Sequence, residues 1–194
     1  IAANYYRQVL YDATRDFDAI GQFATAPLVF VAYPAVKAGS LKQLIELAKQ
    51  QNSPLTYASG GEGGINHVPM EMFKSITGAR LLHVPYKGAG PALTALLAGE
   101  SRVMIATLGS SVSYIQAGRL KALALAGAKR SALLPSLQTA TESGVGGMLL
   151  RTGTGCWLRT ARRGRLLKSS IRNWRLQLLP TTCARVLPRW ALSP

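Results

Sequence analysis

Leu81-Leu-His-Val84, Pro85-Tyr-Lys-Gly-Ala-Gly90 and Pro91-Ala-Leu-Thr-Ala-Leu-Leu97 follow one another without a gap, and their reading decides the fold. The four-residue run Leu-Leu-His-Val predicts a strand, the glycine-containing stretch a loop, and the proline-led segment a helix. The same order recurs on both sides. Upstream, Leu55-Thr-Tyr-Ala58 reads as a strand, Ser59–Gly64 as a glycine-rich loop, and residues from Asn66 to Ile76 as a helix with Gly78 just past its end. Downstream, Val103-Met-Ile-Ala106 is a strand, Gly109–Ser111 a loop, and Val112–Ala117 a helix ended by Gly118. Farther out, Pro27–Tyr33 is an apolar strand, and Ser40 caps a helix over Leu41–Gln51 whose Leu41, Leu44, Ile45 and Ala48 share one face. Ala122–Ala126 supplies another strand. Strands alternating with helices are the mark of βαβ units, so the fold class is α/β with a mostly parallel sheet.

In such a sheet the loops after the strands gather at its carboxyl edge, where ligands bind. Three loops qualify: Ser59-Gly-Gly-Glu-Gly-Gly64, Tyr86-Lys-Gly-Ala-Gly90 and Thr107-Leu-Gly-Ser-Ser111. Each opens a helix, and helix N-termini present N–H groups and partial positive charge to an anion. Glycine lets the backbone approach a ligand closely, although any one of these glycines also serves a plain turn. Catalytic patterns are missing. The glycine loop matches neither a nucleophile elbow nor a phosphate-binding loop. The two histidines divide: His67, near a helix start, is a candidate ligand contact or a packing residue, whereas His83 inside a strand reads as structural. No metal cluster or acid–base pair stands out, and a binding module fits better than an enzyme.

Charge is unevenly placed. The chain has 194 residues and a formal net charge of +15. Residues 1–147 carry 13 Lys and Arg against 8 Asp and Glu, while residues 148–194 carry 10 basic residues, nine of them Arg, and no acid. Cys156, Cys183 and all three tryptophans also fall in that last quarter. Two cysteines so spaced form no metal-ligand pattern and no disulfide framework. No run approaches the roughly 20 apolar residues of a membrane-spanning helix. Read as it stands, the Arg-rich tail would bind polyanions, nucleic acid or an anionic membrane surface.

The stretch Tyr57-Ala-Ser-Gly-Gly-Glu-Gly-Gly-Ile-Asn-His67, then Met72-Phe-Lys-Ser-Ile-Thr-Gly78, then His83-Val-Pro-Tyr-Lys-Gly-Ala-Gly-Pro-Ala-Leu-Thr94 resembles the Bug-type receptors of tripartite tricarboxylate transporters. Phe17-Asp-Ala-Ile-Gly21 and Tyr114-Ile-Gln-Ala-Gly-Arg-Leu-Lys-Ala-Leu-Ala124 extend the match over about residues 11–147. The resemblance implies a periplasmic-binding-protein-like fold of two α/β lobes closing by a hinge on a small carboxylate, with delivery to membrane permease subunits. It implies a periplasmic location, no enzyme activity, no cofactor and no specific nucleic acid partner.

By the same resemblance, residues 1–20 are a remnant of the first lobe, 21–126 the second lobe, and 127–147 a return segment toward the first. The signal peptide and most of the first lobe are expected to be missing, which would leave binding weak or absent. Ser59, Gly60, Gly61, Asn66 and His67 would line one side of the cleft, Lys87, Gly88 and Pro91 would shape the next helix start, and Ala106 and Thr107 the third. Many relatives carry an acid where Ala106 stands, and its loss favours a plain carboxylate over an amino acid.

After Gly146 the resemblance stops, yet codons can be chosen for Arg151–Arg159 that, read one base earlier, give Ala-Asn-Trp-Tyr-Gly-Val-Leu-Ala, the family's continuation. The expectation is therefore that residues 148–194 are a frame-shifted, disordered, non-native tail.

Overall fold

The computed structural model describes residues 17–50, 53–127, 129–148 and 150–159. Within them the chain runs β1 (Phe17–Ala32), α1 (Leu41–Gln50), β2 (Leu55–Ser59), α2 (Val68–Thr77), β3 (Leu81–Pro85), α3 (Ala89–Ala98), β4 (Val103–Thr107), α4 (Leu108–Gln116), β5 (Lys121–Leu125) and β6 (Arg151–Arg159). The sheet order is β3-β2-β4-β1-β5, with β6 pairing β1. β2 lies parallel to both β3 and β4. β1 runs antiparallel to β4 and to β5, so β2, β3, β4 and β5 all point one way. The sheet is mostly parallel, as the βαβ spacing predicts.

Alternation along the central strands sorts the core into two layers. From β1, Leu28, Phe30 and Ala32 face one cluster; from β4, Val103 and Ile105 join them. There they meet Leu41, Leu44 and Ala48 of α1 and Met70 and Phe73 of α2, with the Phe30 and Phe73 rings 5.1 Å apart. Val29, Val31, Met104 and Ala106 point to the other face, onto Ala92 and Leu96 of α3 and Leu108 of α4. Helices therefore cover both faces of the sheet.

The capping chemistry read from the sequence is present. The Ser40 hydroxyl accepts the Gln43 N–H at 3.3 Å, and the Gln43 side chain returns to accept the Gly39 N–H at 2.7 Å. Gly78 ends α2, its N–H donating to the Lys74 carbonyl.

Three boundaries differ from expectation. β1 begins at Phe17 rather than Pro27, because the mixed polar sequence of residues 17–26 has no alternation to announce a strand and pairing supplies one. α4 begins at Leu108, so Gly109–Ser111 is helix and not loop. Ser110 and Ser111 both turn their hydroxyls back to the Thr107 carbonyl, at 2.9 and 3.0 Å, which holds that first turn together. Third, Arg151–Arg159 is a strand, whereas the sequence reading placed it within a disordered tail; Met148 and Leu150 of the same tail pack against the core, and residues 149 and 160–194 lie outside the described residues, as do residues 1–16.

The described residues fall into two compact units, which meet along the chain at Gln22/Phe23 and Thr154/Gly155. The unit containing residues 23–154 holds the sheet core, the four described helices and the loops considered below. After β5 the chain folds back on it: the Leu125 N–H donates to the Gln138 carbonyl, the Ala140 N–H to the Leu125 carbonyl, and Ala140, Val145 and Met148 are buried.

Candidate functional site

β2, β3 and β4 end at Ser59, Pro85 and Thr107, and their common direction puts the following loops on one edge of the sheet. β2 is the middle strand of the three, which seats the Ser59–Gly64 loop between its neighbours. The loop lies hard against the start of α3. Gly88 donates its N–H to the Gly60 carbonyl at 3.1 Å, and Tyr86 donates to the Ser59 carbonyl at 2.9 Å. A Cβ on Gly60 would lie 2.8 Å from the Ala89 nitrogen and 2.9 Å from the Gly88 carbonyl carbon, both backbone atoms. Only glycine permits this approach. Gly88 itself has φ +114°, a conformation other residues rarely adopt.

The expected site residues fall into two groups. Gly60, Gly61, Lys87, Gly88, Pro91 and Thr107 are exposed or partly exposed at this edge. Pro91 also borders a surface pocket of about 520 Å³ with Tyr86 and Gly90. Ser59, Asn66, His67 and Ala106 are buried; their side chains support the edge from beneath. Asn66 donates its side-chain N–H to the Ile105 carbonyl, tying the loop to β4. Ala106 faces the α3 and α4 core layer. Two further cavities lie away from this edge. One of about 700 Å³ borders α1, α2 and residues 138–145, and one of about 500 Å³ lies at the opposite sheet edge beside Lys37 and Arg102.

Beneath the glycine loop sits a cluster that only the three-dimensional register assembles. Tyr57 and His83 are partners across the parallel β2–β3 pair, their rings stacked at 4.9 Å. His67, at the start of α2, brings its ring 4.2 Å from that of His83. The Tyr57 hydroxyl donates to Glu71, one turn after His67, and Lys74 bonds both Glu71 oxygens at 2.8 and 2.9 Å. Lys74 also lies 5.7 Å over the Tyr57 ring. Burial works to raise the Glu71 carboxyl, but the bonds from Lys74 and Tyr57 and the nearby positive charge outweigh it, and the group titrates below its usual range. Burial pushes the His83 imidazole down and the charge of His67 adds to this, against the opposing pull of Glu71 and Glu62.

Two bonds link the imidazoles to the loop. Ser59 Oγ is 2.6 Å from His83 Nε2 and also accepts the Gly61 N–H at 3.2 Å. His67 Nδ1 accepts the Gly63 N–H at 3.1 Å. The Ser59–His83 contact has the atoms of a nucleophile and base, but Ser59 is fully buried and its oxygen is already occupied by the loop amide. A buried, amide-bound hydroxyl is poorly placed to attack a substrate. Reading His83 as structural was right about its position in a strand but missed this link. The pairing of Leu55–Ser59 with Leu81–Pro85, combined with the spacing of His67, Glu71 and Lys74 on one helix, is the signal that would have joined them.

The family model for the tripartite tricarboxylate transporter family receptor matches residues 1–156. The chain belongs to this family. A UPF0065 protein of Bordetella pertussis is 38% identical over 125 residues, covering 64% of this chain and 39% of that protein. A solved structure of Rpa4515 from R. palustris with adipate is similar with a TM-score of 0.78 and 29% identity, over 87% of this chain and 56% of that one. The periplasmic binding protein BugD is similar with a TM-score of 0.76 and 26% identity, over 87% and 56%. The fold is thus that of periplasmic-binding-protein-like receptors, and the family role is binding for transport rather than catalysis. The chain spans about two fifths of that Bordetella relative's length and somewhat over half of the two solved chains.

Proposed function

We propose that this chain carries one face of the ligand cleft of a periplasmic receptor that captures a small carboxylate for a tripartite transporter. The observation that carries this reading is the backbone contact of the Ser59–Gly64 loop with the start of α3, in a chain whose family is one of transport receptors. That edge gathers loop amides and the positive end of α3 with few side chains in the way, a setting suited to a carboxylate. Adipate in a similar structure is a ligand of this chemistry. Hinge closure would bring a second surface over the carboxylate and exclude water from it. Residues 21–126 form the second lobe in this reading, and the permease subunits are its membrane partners.

Adipate titrated into the protein while backbone amides are followed by NMR tests the proposal. Saturable shifts are expected at Gly60, Gly61 and Ala89, with weak affinity because one edge encloses only part of a ligand. No shift at these amides, or shifts confined to the pockets at the other edge, would overturn it.

A further inference from the structure

We propose that His67 and His83 act together as proton-sensitive positioning residues for the Ser59–Gly64 loop, each imidazole holding one loop amide in place. His67 holds Gly63 directly, its Nδ1 lone pair accepting the Gly63 N–H at 3.1 Å. His83 holds Gly61 through Ser59, whose oxygen accepts the Gly61 N–H while contacting His83 Nε2 at 2.6 Å. A proton on either ring changes its bond to the loop. Doubly protonated His67 has no lone pair for Gly63 and must release it. In the neutral tautomer that carries its proton on Nδ1, His83 Nε2 accepts from Ser59; a second proton makes Nε2 a donor, and the Ser59 hydroxyl hydrogen turns instead toward the Gly61 carbonyl, 3.2 Å distant. Ser59 Oγ then accepts from two N–H groups at once, and its hold on Gly61 weakens.

The surroundings decide how readily the protons arrive. The rings lie 4.2 Å apart, so one cation discourages the other. Around His83 stand Tyr57 and Ser59 from β2, His67, Glu71 and Lys74 from α2, and Glu62 from the loop itself. Around His67 stand Tyr57, His83 and Glu71, whose Oε1 lies 3.9 Å from His67 Nε2 and favours a charge there, while Lys74 engages the same carboxylate through both its oxygens. Neutral rings keep the loop amides where the proposed carboxylate site needs them; acid loosens them. The consequence for affinity rests on the carboxylate reading above, but the loop response does not.

The test therefore needs no ligand. The amide shifts of Gly61 and Gly63 and the ring-proton shifts of both histidines are followed from pH 8 to pH 5 on the intact chain. Gly61 is expected to move with the midpoint of the His83 ring, and Gly63 with that of His67. His83→Gln supplies a side chain that bonds Ser59 without titrating, and there the Gly61 transition should vanish while that of Gly63 stays. Ser59→Ala should abolish the Gly61 transition with the His83 ring still titrating. Amides that stay flat in the unsubstituted chain, or whose midpoints differ from those of the rings, overturn the proposal, as does a Gly61 transition that survives either substitution. A matching loop response with no adipate binding at any pH would leave the proposal standing and sink the carboxylate reading alone.

Discussion

Tyr57 is a fully buried aromatic residue whose one polar atom reaches Glu71, and this bond sets the character of the cluster. Tyr57→Phe keeps the stacking area and deletes the hydroxyl. The expected cost is about 1.5–3 kcal/mol of stability, read from urea unfolding, the usual net worth of a hydrogen bond to a charged group. Because that hydroxyl helps to hold the Glu71 carboxyl low, the Glu71 midpoint should rise in the same variant, measurable by carboxyl-carbon NMR. The pH dependence of stability follows in sign from the two shifts. His83 and Glu71 are both lowered by folding, so the unfolded chain takes up either proton more readily, and acid favours unfolding. The His83 contribution is full above its unfolded value near 6.5 and is lost as pH falls through its lower folded value. That of Glu71 declines in the same way from 4.5 downward. A urea midpoint that falls in two stages, the first below pH 6.5 and the second below pH 4.5, is expected; one that rises on acidification would refute the assignment.

At the level of elements, the junction between the Ser59–Gly64 loop and α3 is fixed by backbone against backbone, so it has no flexible side chain to give way. Gly60→Ala should cost about 1–3 kcal/mol, the range for forced overpacking, and separate the two loops. The check is paired: a lower urea midpoint together with lost adipate shifts at Ala89. Phe73→Ala, which empties the α2 side of the core beside Phe30, should cost about 3–5 kcal/mol by the same measurement while leaving the α3 layer's contacts unchanged. What the sequence disclosed at this scale was whatever repeats locally. Helix faces, the Ser40 cap, the short parallel strands and the glycine loops are all written in periods of two or 3.6 residues and in turn residues. The first ten residues of β1 and the strand at Arg151–Arg159 were not legible, because pairing rather than local preference makes them strands. The histidine cluster was hidden for a related reason. Its members lie on β2, β3 and α2, and only the Tyr57–His83 register brings them together.

For the molecule as a whole, the family match ends at residue 156, and the Arg-rich segment continues beyond it. A one-base slip in the coding DNA near Gly146 remains our reading of that segment. Sequencing the gene through Pro194 should reveal a single inserted or missing base whose correction restores Trp-Tyr-Gly-Val-Leu-Ala; an uninterrupted frame with uniform codon usage would instead make the basic segment native. The topology carries one more consequence. β1 sits inside the sheet between β4 and β5, although it precedes both in the chain, with Phe30 opposite Ile105. During synthesis it leaves the ribosome about 75 residues ahead of its first central partner, and the closure of so long a loop must be met before any of those bonds form. The apolar Leu28–Ala32 run must therefore wait, exposed, while the β2–α2–β3 unit is made, and this interval is when the nascent chain is most open to chaperone capture or misassociation.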